Sequence, residues 1–155
     1  MRDDEKIMKR LNDNGAPHNP AGGAAAHAIV VRVYYEDTDF SGAVYHANYL
    51  RFLERGRTEM VRASGIDQAS LHAATGLGFV VRRMALEFLR PARMDDLLNV
   101  TTQPREVRGA SMTLRQEISR GEELLLSAEV VVAAVLRGRA VRIPEALRRG
   151  LLADA

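Results

Sequence analysis

The spacing of apolar residues predicts one long amphipathic helix near the start of the chain. Over residues 47–64 apolar side chains recur every three or four positions, and charged side chains occupy the other side. That period predicts a helix with one buried face. Gly56 lies within the buried stripe, where glycine lowers helix propensity but lets another element approach closely. Gly65 follows the last periodic residue and is typical of a helix C-terminal cap.

Runs rich in β-branched residues predict strands on both sides of this helix. A first strand is predicted at residues 28–35 and a short helix around residues 67–75, and residues 144–151 are expected either to form a short final helix or to lie along an edge. Four long strands separated by short turns are predicted at residues 79–89, 97–107, 111–119 and 124–136. Short turns between successive strands indicate an antiparallel meander. The last strand is apolar almost throughout, as in a central strand covered on both faces. The predicted fold class is therefore α+β, with an antiparallel sheet wrapped around one long helix.

The first part of the chain lacks such a pattern. Residues 1–27 contain turn formers and small residues without apolar periodicity. We therefore expect a flexible N-terminal extension at 1–27 and one domain at 28–155. The whole chain of 155 residues is long enough for one domain with a core and too short for two. His18 and His27 fall in the extension, so neither is a good candidate for a functional site.

Composition excludes several classes of site. Cysteine is absent, so disulfides, thiolate nucleophiles and Cys-ligated metals are excluded. No spacing of His, Asp and Glu indicates a metal site, and no serine lies in a G-x-S-x-G motif. No apolar run approaches the roughly 18 residues of a membrane span, and residues 1–14 lack the apolar core of a secretory signal. We expect a cytoplasmic protein without stable membrane insertion.

The net charge of +2 does not indicate nucleic-acid binding. The basic residues are almost all arginine, and they are interleaved with acids, without a basic run or a ladder of aromatic residues. A codon bias toward high GC content and solvated faces explain most of them. A few arginines remain candidates for holding the phosphates of a coenzyme, because a guanidinium binds phosphate in bidentate fashion.

The main candidates for catalytic residues lie in the sequence YYEDTDFSGAVYHANY, residues 34–49. Here a strand runs into an acidic turn, and the long helix follows at once. An acid, a glycine-containing turn and a histidine therefore gather at a helix N-terminus, whose free N–H groups and partial positive charge suit a developing oxyanion. The arrangement indicates an acyl-transfer or hydrolysis enzyme. The alternative is that Asp37 and Asp39 cap local N–H groups of the turn, and this suits Asp37 better than Asp39.

The longer stretch YYEDTDFSGAVYHANYLRFLERGRTEMVRASG, residues 34–65, closely resembles acyl-CoA thioesterases of the hotdog fold. It looks specifically like the Tol–Pal-associated (YbgC-type) branch of the 4-hydroxybenzoyl-CoA thioesterase family. The segments FVVR at 79–82 and LEFLRPARMDDL at 86–97 match as well, so the resemblance covers about residues 28–147. It implies a hotdog sheet around a central helix, with subunits paired into dimers and commonly into dimers of dimers.

The resemblance also implies catalytic roles. Asp39 falls on the family's catalytic carboxylate and His46 on its histidine, while the backbone N–H of His46 at the helix N-terminus would polarise the thioester carbonyl. Asp39 would act as general base on water or attack directly to give a mixed anhydride, and the residues do not choose between these routes. The His46 side chain would orient the substrate or water, or assist the leaving group; alternatively it merely packs. Phe40, Ser41 and Ala43 depart from the family's common residues, which bears on substrate range.

Substrate contacts are expected from residues near this motif and on the sheet. The set comprises Tyr45, His46, Tyr49, Arg82, Arg90 and Arg93. The two tyrosines are expected to form wall and core rather than to take part in chemistry. The arginines would pair with coenzyme A phosphates, the alternative for each being a solvated strand-edge charge. The resemblance implies no metal or redox cofactor. Coenzyme A is counted as part of the substrate. Glu54 and Glu59 are expected to be surface or helix-pairing charges.

Two other functions stay open. A hotdog hydratase or dehydratase would act on acyl thioesters while leaving the thioester bond intact. A non-catalytic acyl-thioester binding or scaffold protein would show no turnover at all. By resemblance, the acyl donor could be acyl carrier protein instead of acyl-CoA, and the setting could be phospholipid metabolism or envelope maintenance near the Tol–Pal system.

Overall fold

The computed structural model describes residues 25–152, so most of the predicted extension lies outside the described residues. A short 3₁₀ turn at Tyr35–Asp37 follows the first strand. The strands are β1 His27–Arg32, β2 Gly78–Phe88, β3 Leu97–Arg108, β4 Ser111–Arg120, β5 Glu123–Leu136 and β6 Arg139–Ala140. The helices are α1 Asn48–Ala63, α2 Gln68–Thr75 and α3 Glu145–Leu152. In this part of the chain no helix is both long and apolar enough to cross a membrane.

The predicted elements are present, and the largest boundary error concerns the first strand. The strand was expected to reach residue 35 but ends at Arg32. The buried carboxylate of Asp37 accepts the backbone N–H of Tyr34 at 2.8 Å, so the chain leaves the sheet early and enters the 3₁₀ turn. His27, which was expected in the extension, is instead the first residue of β1.

The sheet is antiparallel throughout, in the order β1-β3-β4-β5-β2, and β6 pairs with β5. The predicted meander is right for β3, β4 and β5, whose connecting turns contain Gly109 and Gly121 with positive φ. It is wrong for β2, which pairs with β5 and not with β3. The pairing of β2 with β5 is explained by residues 89–96, which form a crossover connection between β2 and β3 and not a hairpin turn. The N–H of Leu89 donates to Leu125 O near β5, whereas that of Asp95 donates to Val33 O next to β1.

Helix α1 presses its apolar stripe onto the inner face of the sheet. Phe52 and Leu53 are fully buried. A Cβ added at Gly56 would lie 2.9 Å from Thr102 Oγ1 and 3.0 Å from Val100 Cγ1, both on β3. Such contacts are too short for a side chain, so the close approach predicted for this glycine is confirmed.

The end of α1 is also formed as predicted. Gly65 has φ +81°, and its N–H donates to Arg62 O at 3.0 Å. The N–H of Ile66 reaches back to Val61 O at 3.3 Å. These two bonds form a Schellman motif, which satisfies carbonyl groups that a helix end would leave unpaired.

Candidate active site

The chain between the 3₁₀ turn and α1 folds back on itself in a tight loop. Thr38 and Val44 form an antiparallel bridge. Inside it, the N–H of Asp39 donates to Ala43 O at 3.0 Å, and the N–H of Gly42 donates to Asp39 O at 3.0 Å. Gly42 has φ +81°, a left-handed conformation that costs glycine little. We call residues 38–44 the acidic loop; it presents Asp39 at the surface.

The carboxylate of Asp39 is held by its neighbour two residues on. Its Oδ1 accepts the Ser41 backbone N–H at 2.8 Å and the Ser41 hydroxyl at 2.5 Å. These bonds are the main reason why the pKa of Asp39 is lowered, and the charge of His46 lowers it further. Asp39 is thus an ionised, exposed carboxylate at neutral pH. Both bonds go to Oδ1, so Oδ2 is the oxygen better placed to take a proton from water.

Asp37 has a different role although it lies only two residues away. Its side chain is buried, and its Oδ1 accepts from Asn48 Nδ2 at 3.0 Å while Oδ2 accepts the Tyr34 N–H. Its carbonyl oxygen accepts the N–H of Tyr45 at 2.9 Å. Asp37 therefore ties the exit of β1 to the first residue of α1. The capping role favoured for Asp37 from its sequence is confirmed.

His46 lies two residues ahead of Asn48, the first residue of α1. It is the second residue of a turn that the N–H of Asn48 closes on Tyr45 O at 2.8 Å. Within residues 25–152 the His46 N–H donates no hydrogen bond, and Ala47 supplies no side-chain cap to the helix. Unpaired N–H groups and the positive end of the helix dipole therefore meet beside the acidic loop. The imidazole is exposed and lies against the Tyr45 ring, with 4.5 Å between centroids.

The two tyrosines of the motif differ in their surroundings. Tyr45 is exposed beside His46. Tyr49 is buried, and its hydroxyl accepts the N–H of Ala92 at 2.9 Å. Its ring meets Phe88 edge-on at 5.6 Å between centroids. The expectation of a core position thus holds for Tyr49, and Tyr45 is the tyrosine that a ligand can reach.

The structure brings one of the three predicted arginines to the acidic loop. Arg93 forms an antiparallel bridge with Ala43, so its exposed side chain starts next to the loop. Arg90 forms an ion pair with Glu123 on β5, with 3.9 Å between Nη1 and Oε2. Arg82 is exposed on β2, where a bulge shifts the register between its two neighbours.

The two glutamates of α1 make contacts within their own helix. Glu54 Oε1 accepts the hydroxyl of Thr58 at 2.5 Å, and Glu59 forms an ion pair with Arg62. The expectation of helix-pairing charges is confirmed for Glu59.

Sequence reasoning missed two features of the site. Ser41 was noted only as a departure from the common family residues, yet it is the main hydrogen-bond donor to Asp39. The spacing Asp39-Phe40-Ser41, typical of an Asx turn, was the available signal. The second feature is the pairing of the acidic loop with Ala92 and Arg93, for which the sequence carries no local signal.

The donor groups of the described residues are dispersed. Across residues 25–152 no cluster of three or more His, Cys, Asp or Glu side chains is arranged to hold a metal ion. Asp39 and His46 are both exposed near the start of α1.

Known proteins resemble the chain over most of the described region. The model of the thioesterase superfamily matches residues 41–127, more than half of the chain. The acyl-CoA thioester hydrolase YbgC of Escherichia coli O6:H1 is 49% identical over 106 residues, which cover 68% of this chain and 78% of that protein.

Solved structures show the same architecture. A probable thioesterase from Bartonella henselae superimposes with a TM-score of 0.75 at 43% identity, covering 77% of this chain and 100% of that one. The 4-hydroxybenzoyl CoA thioesterase of a Pseudomonas strain gives 0.77 at 22% identity, covering 81% and 98%, and so shows likeness of fold alone. The predicted hotdog fold is confirmed, and the chain belongs to the thioesterase superfamily.

Proposed function

We propose that the protein is an acyl-CoA thioesterase, which hydrolyses acyl-CoA thioesters to the free acid and coenzyme A. One observation carries the proposal: an exposed, ionised Asp39 lies beside a helix N-terminus where the His46 N–H has no acceptor among the described residues. A base or nucleophile and an oxyanion donor are the two groups that thioester hydrolysis requires. The E. coli relative, named as an acyl-CoA thioester hydrolase, supports the same substrate class.

Asp39 begins the reaction in either of two ways. As general base it takes a proton from water, and the resulting hydroxide attacks the carbonyl carbon. As nucleophile it attacks that carbon itself, expels the thiolate and forms a mixed anhydride that water then cleaves. In both routes negative charge grows on the carbonyl oxygen, and the His46 N–H stabilises it. The C–S bond then breaks, and the coenzyme A thiolate leaves with its electron pair.

The remaining contacts follow from where each side chain lies. The exposed His46 imidazole orients the water or protonates the departing thiolate, and Tyr45 beside it forms part of the substrate wall. Arg93 is the arginine next to the acidic loop, so it is the first of the three to assign to a coenzyme A phosphate. Arg82, exposed on β2, and Arg90, which faces Glu123, are assigned to the coenzyme after Arg93, and Tyr49 contributes through packing.

The proposal includes a homo-oligomer, a dimer or a dimer of dimers. Strand β2 lies at the edge of the sheet and exposes Val80, Val81 and Phe88 at 48%, 45% and 52%. An exposed edge strand with apolar side chains is a template for pairing with another chain. A cytoplasmic location, acyl carrier protein as alternative donor, and a setting in lipid metabolism near the Tol–Pal system belong to the same proposal.

Thiol release from a panel of acyl-CoAs, from acetyl to palmitoyl with one aromatic member, tests the function. Asp39→Asn keeps the shape of the side chain but removes the charge, so kcat should fall by about 100-fold or more. Asp67→Asn is the matched control, because Asp67 is also exposed and accepts the hydroxyl and N–H of a nearby serine, Ser70.

The same panel, with one enoyl-CoA added, separates the rival functions. Loss of turnover in Asp39→Asn but not in Asp67→Asn supports the thioesterase. If the wild type releases no free thiol from any substrate, the thioesterase proposal is wrong. Consumption of an enoyl-CoA double bond without thiol release would then favour a hydratase, and binding without either reaction would favour a scaffold.

A further inference from the structure

Residues 91–93 form a short extended segment that is held from both sides. Toward the site, Ala92 O accepts the N–H of Val44 at 2.9 Å, and the Ala92 N–H donates to the Tyr49 hydroxyl at 2.9 Å. The next residue, Arg93, bridges with Ala43. One side of this segment thus supports both the end of the acidic loop and the start of α1. Ala92 itself is fully buried.

The other side of the segment is held by one guanidinium. Arg120, the last residue of β4, donates from Nη1 to Pro91 O at 3.3 Å and to Asp96 Oδ2 at 2.7 Å. The same Asp96 oxygen accepts the backbone N–H of Arg93 at 2.8 Å. Arg120 therefore holds the residue before Ala92 directly and the residue after it through Asp96.

A third contact fixes the guanidinium. Arg120 Nη2 donates to Glu123 Oε1 at 2.5 Å, across the turn between β4 and β5. The hydrogen bond to Asp96 is the main cause of a raised pKa for Arg120, so the cation persists at every working pH. A planar guanidinium with its donors in a fixed fork loses little freedom when it bridges several acceptors.

We infer that Arg120 is a positioning residue of the active site: through Asp96 and Pro91 it sets the place of Ala92, and thereby of the acidic loop that carries Asp39. The inference rests on the proposed function and assigns to it a residue that does not touch the substrate. Small displacements of a catalytic group lower turnover strongly, since reaction requires near-contact geometry.

Arg120→Met and Arg120→Lys test the inference, with Arg115→Met as matched control. Arg115 lies on the same strand and pairs with Glu117 on the exposed side, away from residues 91–93. In Arg120→Met, kcat should fall by about 10-fold or more because the acidic loop shifts, and KM should change less, because Arg93 is the one proposed substrate contact on this segment. Arg120→Lys keeps the charge and one contact, so it should fall between this variant and the wild type.

A second readout follows the support of residues 91–93 without any substrate. Hydrogen exchange at the amides of Val44 and Ala92 should accelerate in Arg120→Met and stay at wild-type rates in Arg115→Met. All variants are measured well below their melting temperatures, so that global unfolding does not contribute. If Arg120→Met does not fold, Arg120→Lys supplies both readouts.

The outcomes separate cleanly. A fall in kcat together with faster exchange at Val44 and Ala92 supports the inference. If kcat of folded Arg120→Met stays within about twofold of wild type, this inference is wrong and the proposed thioesterase function is unaffected. The same criterion applies to Arg120→Lys where that variant replaces Arg120→Met. No thiol release by the wild type overturns the proposed function, and this inference with it.

Discussion

The hydroxyl of Ser41 donates to the carboxylate of Asp39 at 2.5 Å, and the Ser41 backbone N–H donates to the same oxygen. Hydrogen bonds to the charged form stabilise it, so they lower the pKa of Asp39. The proposed reaction needs the charged form. The lower the pKa, the further activity extends into acid.

Ser41→Ala should therefore move the acid limb of the pH profile upward. The loss of the hydroxyl removes the largest cause of the lowered pKa, so Asp39 becomes protonated at a higher pH and activity is lost sooner on acidification. The measurement is kcat/KM as a function of pH for wild type and variant. Ser70→Ala, which removes the same bond from Asp67, should leave the profile unchanged. An acid limb that stays in place would show that another group controls it.

Gly56→Ala should destabilise the fold although alanine favours helices. The new methyl group would meet Thr102 Oγ1 at 2.9 Å and Val100 Cγ1 at 3.0 Å. Overpacking of this kind costs about 1–3 kcal/mol, against a propensity gain of about 1 kcal/mol. Urea unfolding measures the net change. Arg51→Ala, on the exposed side of the same helix, should stay within about 0.5 kcal/mol of wild type. An unchanged or raised stability for Gly56→Ala would contradict the close approach.

Gln116→Leu should be costly because this fully buried side chain serves three partners. Its Nε2 donates to Leu53 O at 2.9 Å and to Thr102 Oγ1 at 2.7 Å, and its Oε1 accepts from Arg57 Nη1 at 3.0 Å. Leucine would leave buried polar groups unpaired, at about 1–3 kcal/mol for each one that water cannot reach. Denaturant unfolding of Gln116→Leu, Arg57→Met and the double variant provides the check. Additive losses would mean that Gln116 and Arg57 do not act as a unit.

Val81→Lys should weaken self-association through β2. Val81 is 45% exposed on an edge strand, and a lysine there opposes pairing with another chain. Sedimentation velocity over a range of concentrations should show a smaller species than wild type. Ala73→Lys on the exposed side of α2 serves as control. A monomeric wild type would remove the basis of the proposed oligomer.

The parts of the fold that sequence predicts are those fixed by local physics. The periodicity of α1, the αL position of Gly65 and the hairpins around Gly109 and Gly121 each depend on residues close in sequence. The place of β2 does not, since its partner is chosen by contacts across the whole sheet. An antiparallel strand of its composition would fit either neighbour, so the pairing with β5 was missed.

The features of the candidate site also divide into those that depend on residues close in sequence and those that depend on distant residues. The capping role of Asp37 and the turn at Gly42 follow from short-range turn chemistry. The supports of the acidic loop are long-range, and neither Ala92 nor Arg120 has a side chain that marks it as part of a site. Their roles come from backbone atoms and from a side chain that reaches between elements, and neither shows in residue identity.

The bridge between Ala43 and Arg93 joins positions 50 apart in sequence, 43 and 93. Helix α1 can form from contacts within a few residues, whereas the acidic loop acquires its support only after the chain has crossed from β2 toward β3 and β1. Contacts of large sequence separation are costly to close and tend to slow folding. A partly folded chain can therefore carry its central helix without carrying a competent site, and catalytic ability is gained with the closing of the tertiary structure.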